Sequence, residues 1–571
     1  MSTLFLNQTI SIDITFKYNN IHTIYSMSWH IHEIKRKAKT YISIQKNERD
    51  GKKIKSSYIY IGPIIEALKM FADMQIKPLQ NEKEISYSGE IILGSISRSI
   101  NFSKVLEKYT QDKRIADALN NIIILRTLFP VSKRKLIKIR LKHSILKDST
   151  NLNYFEEVYE FMDILYSNMG DIMNDAITNA VKIYHLDLNQ LIIDATRIKI
   201  WKDKETDLVR FGYCSRNERK GSPQVNLILG VNNQHVPLFA NTYPGNTQDI
   251  KMFGDFIDRI NTRYQELTSH IKEKFVIFDQ GNVNLENINY LQELKKKGVY
   301  FVSMVKTSSS GKYIKKVDIS TLPVIYSKEK TKNVITKISG KILDEEVYKS
   351  KSRILVCYNP DLKELKCKIL DRKVSHIKKM AKDGENQTDI NMMISKYHLK
   401  KALEIVKKDK KIDIEINDTV LEARKKGYGF FVLFTNHEGL SAEKLINIYK
   451  SRDIVEQGFR ALKSDLEIDP VYHSKDDRIE THTVMVVFGY LLMSLLNVAL
   501  NERKINYSFG ELKELIRSGN AVEGFYENEN LKKKLKIWRP IKLEDELEEI
   551  FRKLMIKIPG FDVEECIPTE L

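Results

Sequence analysis

Apolar positions recur along this chain with two different periods, and the switches between them divide it into modules. Tyr41-Ile42-Ser43-Ile44-Gln45 alternates apolar and polar side chains, and Ser57-Tyr58-Ile59-Tyr60-Ile61 reads as a second strand. Asp50-Gly51 lies between them, a hairpin-turn signal. From about residue 88 to residue 186 the spacing becomes helical, as Ile115, Leu119, Ile122, Leu125 and Phe129 illustrate. Pro130 breaks that run, and Ser132 predicts the start of a basic helix. Leu191-Ile192-Ile193-Asp194 then opens a region of strands, with further strands expected at 225–231, 236–240, 275–278 and 300–305 and a helix at 285–297. That succession predicts a mixed α/β sheet. Between residues 306 and 428 short alternating segments flank a Lys-rich helical stretch, and α/β character resumes at Gly429-Phe430-Phe431-Val432-Leu433-Phe434. The middle segment therefore reads as an insertion. Ser441 is a good N-cap for a long helical pattern running to about Ser464. The apolar stretch 484–500 reads as a buried core helix, because it falls short of the roughly 20 residues of a membrane span.

Composition adds a partner to this picture. Hydrophobic residues at 42% and charged residues at 29% are those of a globular protein, but a net charge of +18 over 571 residues favours a polyanion. The charge is clustered. Residues 35–55 hold nine basic side chains against Glu48 and Asp50. Residues 133–147 hold Lys133, Arg134, Lys135, Lys138, Arg140, Lys142 and Lys147 with no acid among them. Lys532, Lys533, Lys534, Lys536 and Arg539 surround Trp538. Three such clusters point to nucleic acid rather than to a merely solvated face. Cys214, Cys357, Cys367 and Cys566 show no CxxC spacing, which argues against structural zinc and disulfides. The first twenty residues lack the layout of a signal peptide, so an intracellular protein is expected.

Candidate chemistry comes from carboxylates. Asp194 ends one apolar strand and Asp279 ends another, Phe275-Val276-Ile277-Phe278. Functional groups of α/β sheets commonly stand at such carboxyl ends. On the predicted helix after Ser441, Tyr449, Arg452, Glu456 and Lys463 fall on one face at about 100° per residue. An Arg452–Glu456 pair alone would read as an ordinary i,i+4 stripe. Three carboxylates with no competing His or Cys cluster instead suit Mg²⁺ or Mn²⁺, and two such ions can promote phosphodiester chemistry. His482 reads as core support, and Trp201 as packing.

These residues resemble the DDE insertion-sequence transposases, in particular the group marked by Tyr, two residues, Arg, three residues, Glu, six residues, Lys. Here that is Tyr449, Arg452, Glu456 and Lys463. The likeness extends to Leu191–Thr196, to Gly212-Tyr213-Cys214-Ser215, to Tyr243-Pro244-Gly245-Asn246-Thr247, to Phe278–Asn282, to Pro130-Val131-Ser132-Lys133, to Asp469–His473 and to Arg478–His482. The resemblance implies a ribonuclease-H-like core in which Asp194, Asp279 and Glu456 hold two Mg²⁺ or Mn²⁺ ions. It implies that Tyr449, Arg452 and Lys463 contact the DNA backbone. The expected partners are inverted-repeat ends, target DNA and a second copy in a homodimer; no membrane is expected, and the location is cytoplasmic, at the nucleoid. The domains then read as a basic β-hairpin unit (1–87), a helical DNA-binding domain (88–186), the first part of the core (187–305), an insertion domain (306–428), the second part of the core (429–520) and a C-terminal tail (521–571). Two positions depart from the family's look. Ala195-Thr196-Arg197 follows Asp194 where many relatives have a second hydroxyl residue, and Asp469 stands before Pro470 where many have a basic one. A ribonuclease-H-like nuclease and an inactive DNA-binding relative remain the alternatives.

Overall fold

The computed structural model describes residues 27–36, 39–50, 53–63, 80–152, 154–212, 222–331, 334–408, 411–528, 533–560 and 562–566. Gly51, the Tyr213-Cys214-Ser215 motif, Lys532 and the first twenty residues lie outside them. The chain forms two compact units, one built from both of its ends and one from the long middle.

In the unit of the two ends, β1 (Met27–Arg36), β2 (Lys39–Asp50) and β3 (Lys53–Pro63) form an antiparallel meander. The predicted hairpin is its β2–β3 half, closing at the Asp50–Lys53 pair. The same unit contains a sheet of β4 (Gln80–Ser86) with the late strands Asn520–Asn528, Lys533–Pro540 and Asp562–Cys566. Residues expected to be a tail thus pair into a sheet. Part of the basic character around Trp538 is neutralised within it, since Glu523 lies 2.6 Å from Lys83 and 3.2 Å from Lys536.

The middle unit begins with helices Ser88–Ser99, Phe102–Thr110, Lys113–Leu128 and Glu157–Tyr184, the third capped by Asp112, whose side chain accepts from the Arg114 and Ile115 amides. They surround the helix Asp476–Asn501, which is apolar on every side and correspondingly buried. That helix is long and apolar enough to cross a membrane, but 94% of its apolar window is covered by the fold. It is a core helix. Phe102 meets Phe488 with ring centroids 4.9 Å apart, and Gly489 lets the Lys113–Leu128 helix approach closely.

A ten-stranded mixed sheet follows. Its strands are β5 (Gln190–Lys199), β6 (Arg210–Phe211), β7 (Pro223–Val231), β8 (Pro237–Pro244), β9 (Lys274–Phe278), β10 (Val299–Met304), β11 (Val324–Thr331), β12 (Val334–Val347), β13 (Ser350–Tyr358) and, after a gap in sequence, the strand Phe430–Thr435. Its centre runs β8-β7-β5-β9-β10, with β5, β9 and β10 parallel and β7 antiparallel to both of its neighbours, β5 and β8. Strand Phe430–Thr435 joins antiparallel to β10, and β13, β12 and β11 continue beyond it. The segment after residue 305 therefore divides in two. Its first three strands widen the same sheet, while residues 360–426, which include the separate hairpin of strands Leu403–Lys408 and Lys411–Ile416, build a small body with its own core of Leu370, Val374, Ile377, Ile390, Ile394, Leu399 and Leu421.

The long helix predicted after Ser441 is broken. Ser441 caps Ala442–Lys450 by accepting from the Lys444 amide, and a second helix, Asp453–Arg460, runs into a π turn, Ala461–Asp465. At the break the amides of Arg452 and Val455 bond three residues back, to Tyr449 and Arg452. This tightening re-aims the second helix so that Val455 and Phe459 enter the core under the sheet.

A Cβ on Gly489 would stand 2.1 Å from Thr127 Oγ1. Gly489→Val is expected to destabilise the protein by about 1–3 kcal/mol through overpacking. A lowered denaturation midpoint with an unchanged m-value checks this.

Candidate active site

The parallel register of β5 and β9 places two carboxylates side by side. The last pair on that ladder is Ile193–Phe278, and Asp194 and Asp279 are the residues that directly follow it on the two chains. Asp279 remains extended, then leads into a 3-10 turn whose Asn282 amide bonds back to its carbonyl. Asp194 does not end its strand, contrary to the expectation. β5 continues to Lys199, paired with β7 alone, because β9 turns away at Asp279. Asp194 therefore sits where a two-sided ladder becomes one-sided, on a backbone still held by β7.

The third carboxylate arrives from the helix Asp453–Arg460. A Cβ on Gly458 would lie 2.8 Å from Tyr490 Oη and 3.8 Å from Leu229 Cδ2. Leu229 is the β7 partner of Asp194, so the bare glycine lets this helix settle over the strand pair. Glu456 is then joined to Asp279 by one guanidinium. Arg452 Nη2 is 2.6 Å from Glu456 Oε1, and its Nη1 is 3.1 Å from Asp279 Oδ1. The Tyr449 ring lies 5.9 Å from the same guanidinium carbon.

Electrostatics follow from this crowding. Burial pushes the Asp194 carboxyl up to about 6; Asp279 and Glu456 add to the rise, and the Ala195 amide and Arg452 oppose it. Burial likewise pushes the Tyr449 phenol up to about 12. Arg452 is half-buried, which works against its charge, but Tyr449, Asp279, Glu456 and Asp194 more than offset that and hold it charged. Five of the six predicted residues thus form one group. Lys463 lies beyond it on the π turn, half-buried.

Among the described residues, no set of three His, Cys, Asp or Glu side chains is gathered as a metal cage. The donors nevertheless suit a hard divalent cation: they are all carboxylate oxygens, and Asp194 is held in its charged form only at a cost. Arg452 supplies the positive charge at their centre.

Several functional supports escaped the sequence reading. Asp469, where many relatives have a basic residue, braces β5: its Oδ2 accepts from the Lys199 amide at 3.1 Å, and Val471 pairs with Ile200 just past the strand. Arg126, 4% exposed, donates to the Leu466 and Glu467 carbonyls at 2.8 Å each, holding the same loop. Lys133 is no surface cation. It is buried, with Nζ 2.5 Å from His482 Nδ1, and His482 Nε2 donates to the Ile468 carbonyl. Burial lowers both groups, and it pushes neighbouring His473 down to about 3. Pro130–Lys133 here meets Asp469–His473 and Arg478–His482, which lie more than three hundred residues further along; their shared resemblance was the available signal. Trp201 corrects its packing expectation. It is 74% exposed and stands 6.2 Å from the equally open Tyr472.

The centre order β8-β7-β5-β9-β10, with Asp194 inside β5 and Asp279 directly after the neighbouring parallel strand β9, defines a ribonuclease-H-like core. The family model for the transposase DDE domain matches residues 186–492, more than half of the chain. The chain belongs to the DDE transposase family. Among curated proteins, none matches it.

The raised Asp194 carboxyl has a stability signature. Well below its ordinary value of 3.8 it is protonated in folded and unfolded chains alike. As pH rises through about 6 the folded state must ionise a buried group that the unfolded state ionises freely, so stability is lost. In chelator, Asp194→Asn is therefore expected to exceed the unmodified protein in stability at pH 7–8 by up to about 3 kcal/mol. Melts across the pH range should show the difference shrinking from about pH 6 downward and vanishing well below the unfolded value of 3.8; a constant gain would assign it to another cause.

Proposed function

We propose that this transposase cuts DNA at the ends of a mobile element and joins those ends to target DNA. In this reading Asp194, Asp279 and Glu456 hold two Mg²⁺ or Mn²⁺ ions. The observation that supports it is the bridging of Asp279 and Glu456 by the one Arg452 guanidinium, beside Asp194 on the adjacent parallel strand, whose carboxyl feels the charge of all three. The chemistry such ions supply is activation of an attacking oxygen and stabilisation of a leaving oxygen at a phosphodiester.

The chain's own residues prepare that reaction. β7 and the Asp469 brace keep β5 rigid on both sides of Asp194, so the first carboxylate is placed by backbone rather than by a loop. Gly458 sets the depth of the helix and hence the reach of Glu456. Arg452 and Lys463 bind backbone phosphates, and Tyr449 packs beside the guanidinium. Arg134, Lys135, Lys138, Lys142 and Lys147, all exposed on one short segment, add sequence-independent attraction for DNA. A second copy of the chain serves the other end of the element, and the protein works at the nucleoid.

Asp194→Asn, Asp279→Asn and Glu456→Gln are each expected to lower end cleavage by at least about a hundredfold, with gel-shift binding of DNA retained. Excess chelator should do the same to the unmodified protein, and Mn²⁺ should restore it. Near-normal cleavage by any one variant removes that residue from the site.

A further inference from the structure

We propose that Arg452 is an exchangeable counter-ion, neutralising Asp279 and Glu456 until DNA phosphates draw it away, so that DNA binding and divalent-metal binding assist each other. This rests on the metal reading above and adds a role for one residue within it.

The geometry carries the exchange. A single guanidinium, with its side chain 23% exposed, spans two of the three proposed ligands at 3.1 and 2.6 Å. The carboxylate oxygens it occupies are the ones a hard cation needs, since such a cation takes oxygen lone pairs directly. Arg452 also contributes a full positive charge to the place where further positive charge must enter, and charges at such separations interact strongly in a half-buried corner. Guanidinium and divalent cation are therefore rivals for the same oxygens. A DNA phosphate offers the guanidinium an alternative partner of matching shape, bonded through the same two-pronged fork. Arg452 also stands where such a change is easiest, at the break between Ala442–Lys450 and Asp453–Arg460 rather than inside a regular helix. Whatever takes Arg452 from the carboxylates raises their affinity for metal. By linkage, metal bound there frees Arg452 for phosphate to the same degree.

Mn²⁺ binding to the full chain, read by electron paramagnetic resonance of free Mn²⁺, tests this without turnover. The probe is a mixed-sequence 40-base-pair duplex at low salt, and ions held by the duplex alone are subtracted. The unmodified protein is expected to bind Mn²⁺ weakly by itself and on the order of ten- to a hundredfold more tightly with the duplex. Arg452→Gln should bind Mn²⁺ tightly without DNA and gain little from the duplex. Arg452→Lys, which keeps the charge but loses the fork, should fall between them and guards against a folding defect in the Gln variant. Equal Mn²⁺ affinity in all three proteins without DNA, or an equal gain from the duplex in all three, overturns the exchange while leaving the metal site standing. Absence of Mn²⁺ binding in every protein, with and without duplex, overturns the metal reading itself.

Discussion

Three carboxylates in one partly buried corner repel one another, and much of this molecule is arranged around containing that repulsion. Asp194 and Asp279 are neighbours because β5 and β9 run parallel in register, and Glu456 joins them because Gly458 brings its helix down on the β5–β7 pair. Arg452 is the charge that makes the arrangement tenable: it holds two of the acids directly and lowers the cost of the third. A buried charge left without a partner is among the more expensive features a fold can contain. The corner is therefore poised to accept cations, which is a chemical property before it is a catalytic one.

The surrounding architecture serves rigidity. β5 passes through the site instead of ending in it, gripped by β7 and tied at its far end to the loop of Asp469 and Val471. That loop is in turn held from the helical side by Arg126 and by the Lys133–His482 pair. Helical bundle and sheet thus share hydrogen bonds that lead from the core helix to the far end of β5, the strand that bears Asp194. The buried Arg126 and Lys133 along this path bond carbonyls and an imidazole, so their task is positional.

Local pattern revealed much of this and missed what depends on distance. Alternation and apolar runs marked nearly every strand of the sheet's centre, since buried parallel strands such as Phe275-Val276-Ile277-Phe278 leave no other reading. The helix-borne Tyr449, Arg452 and Glu456 were legible as a group. Illegible were features settled by remote partners. Nothing near Arg126 or Lys133 reveals that their acceptors lie more than three hundred residues away. The break at Arg452 carries neither Gly nor Pro; it arises because Val455 and Phe459 must reach the core. β5 outruns Asp194 because β7 continues to pair with it, and strands on either side of the Lys-rich insertion join the sheet of the core for the same reason: pairing partners, rather than propensity, decide where a strand stops.

The central claim is that Asp194, Asp279 and Glu456 together hold divalent cations. Anomalous diffraction from crystals of the protein bound to a DNA duplex and soaked in Mn²⁺ addresses it most directly. Peaks are expected within coordination distance of all three carboxylates, with the Arg452 guanidinium moved off Asp279 and Glu456. Mn²⁺ bound elsewhere, with the guanidinium still bridging those two acids, would contradict it.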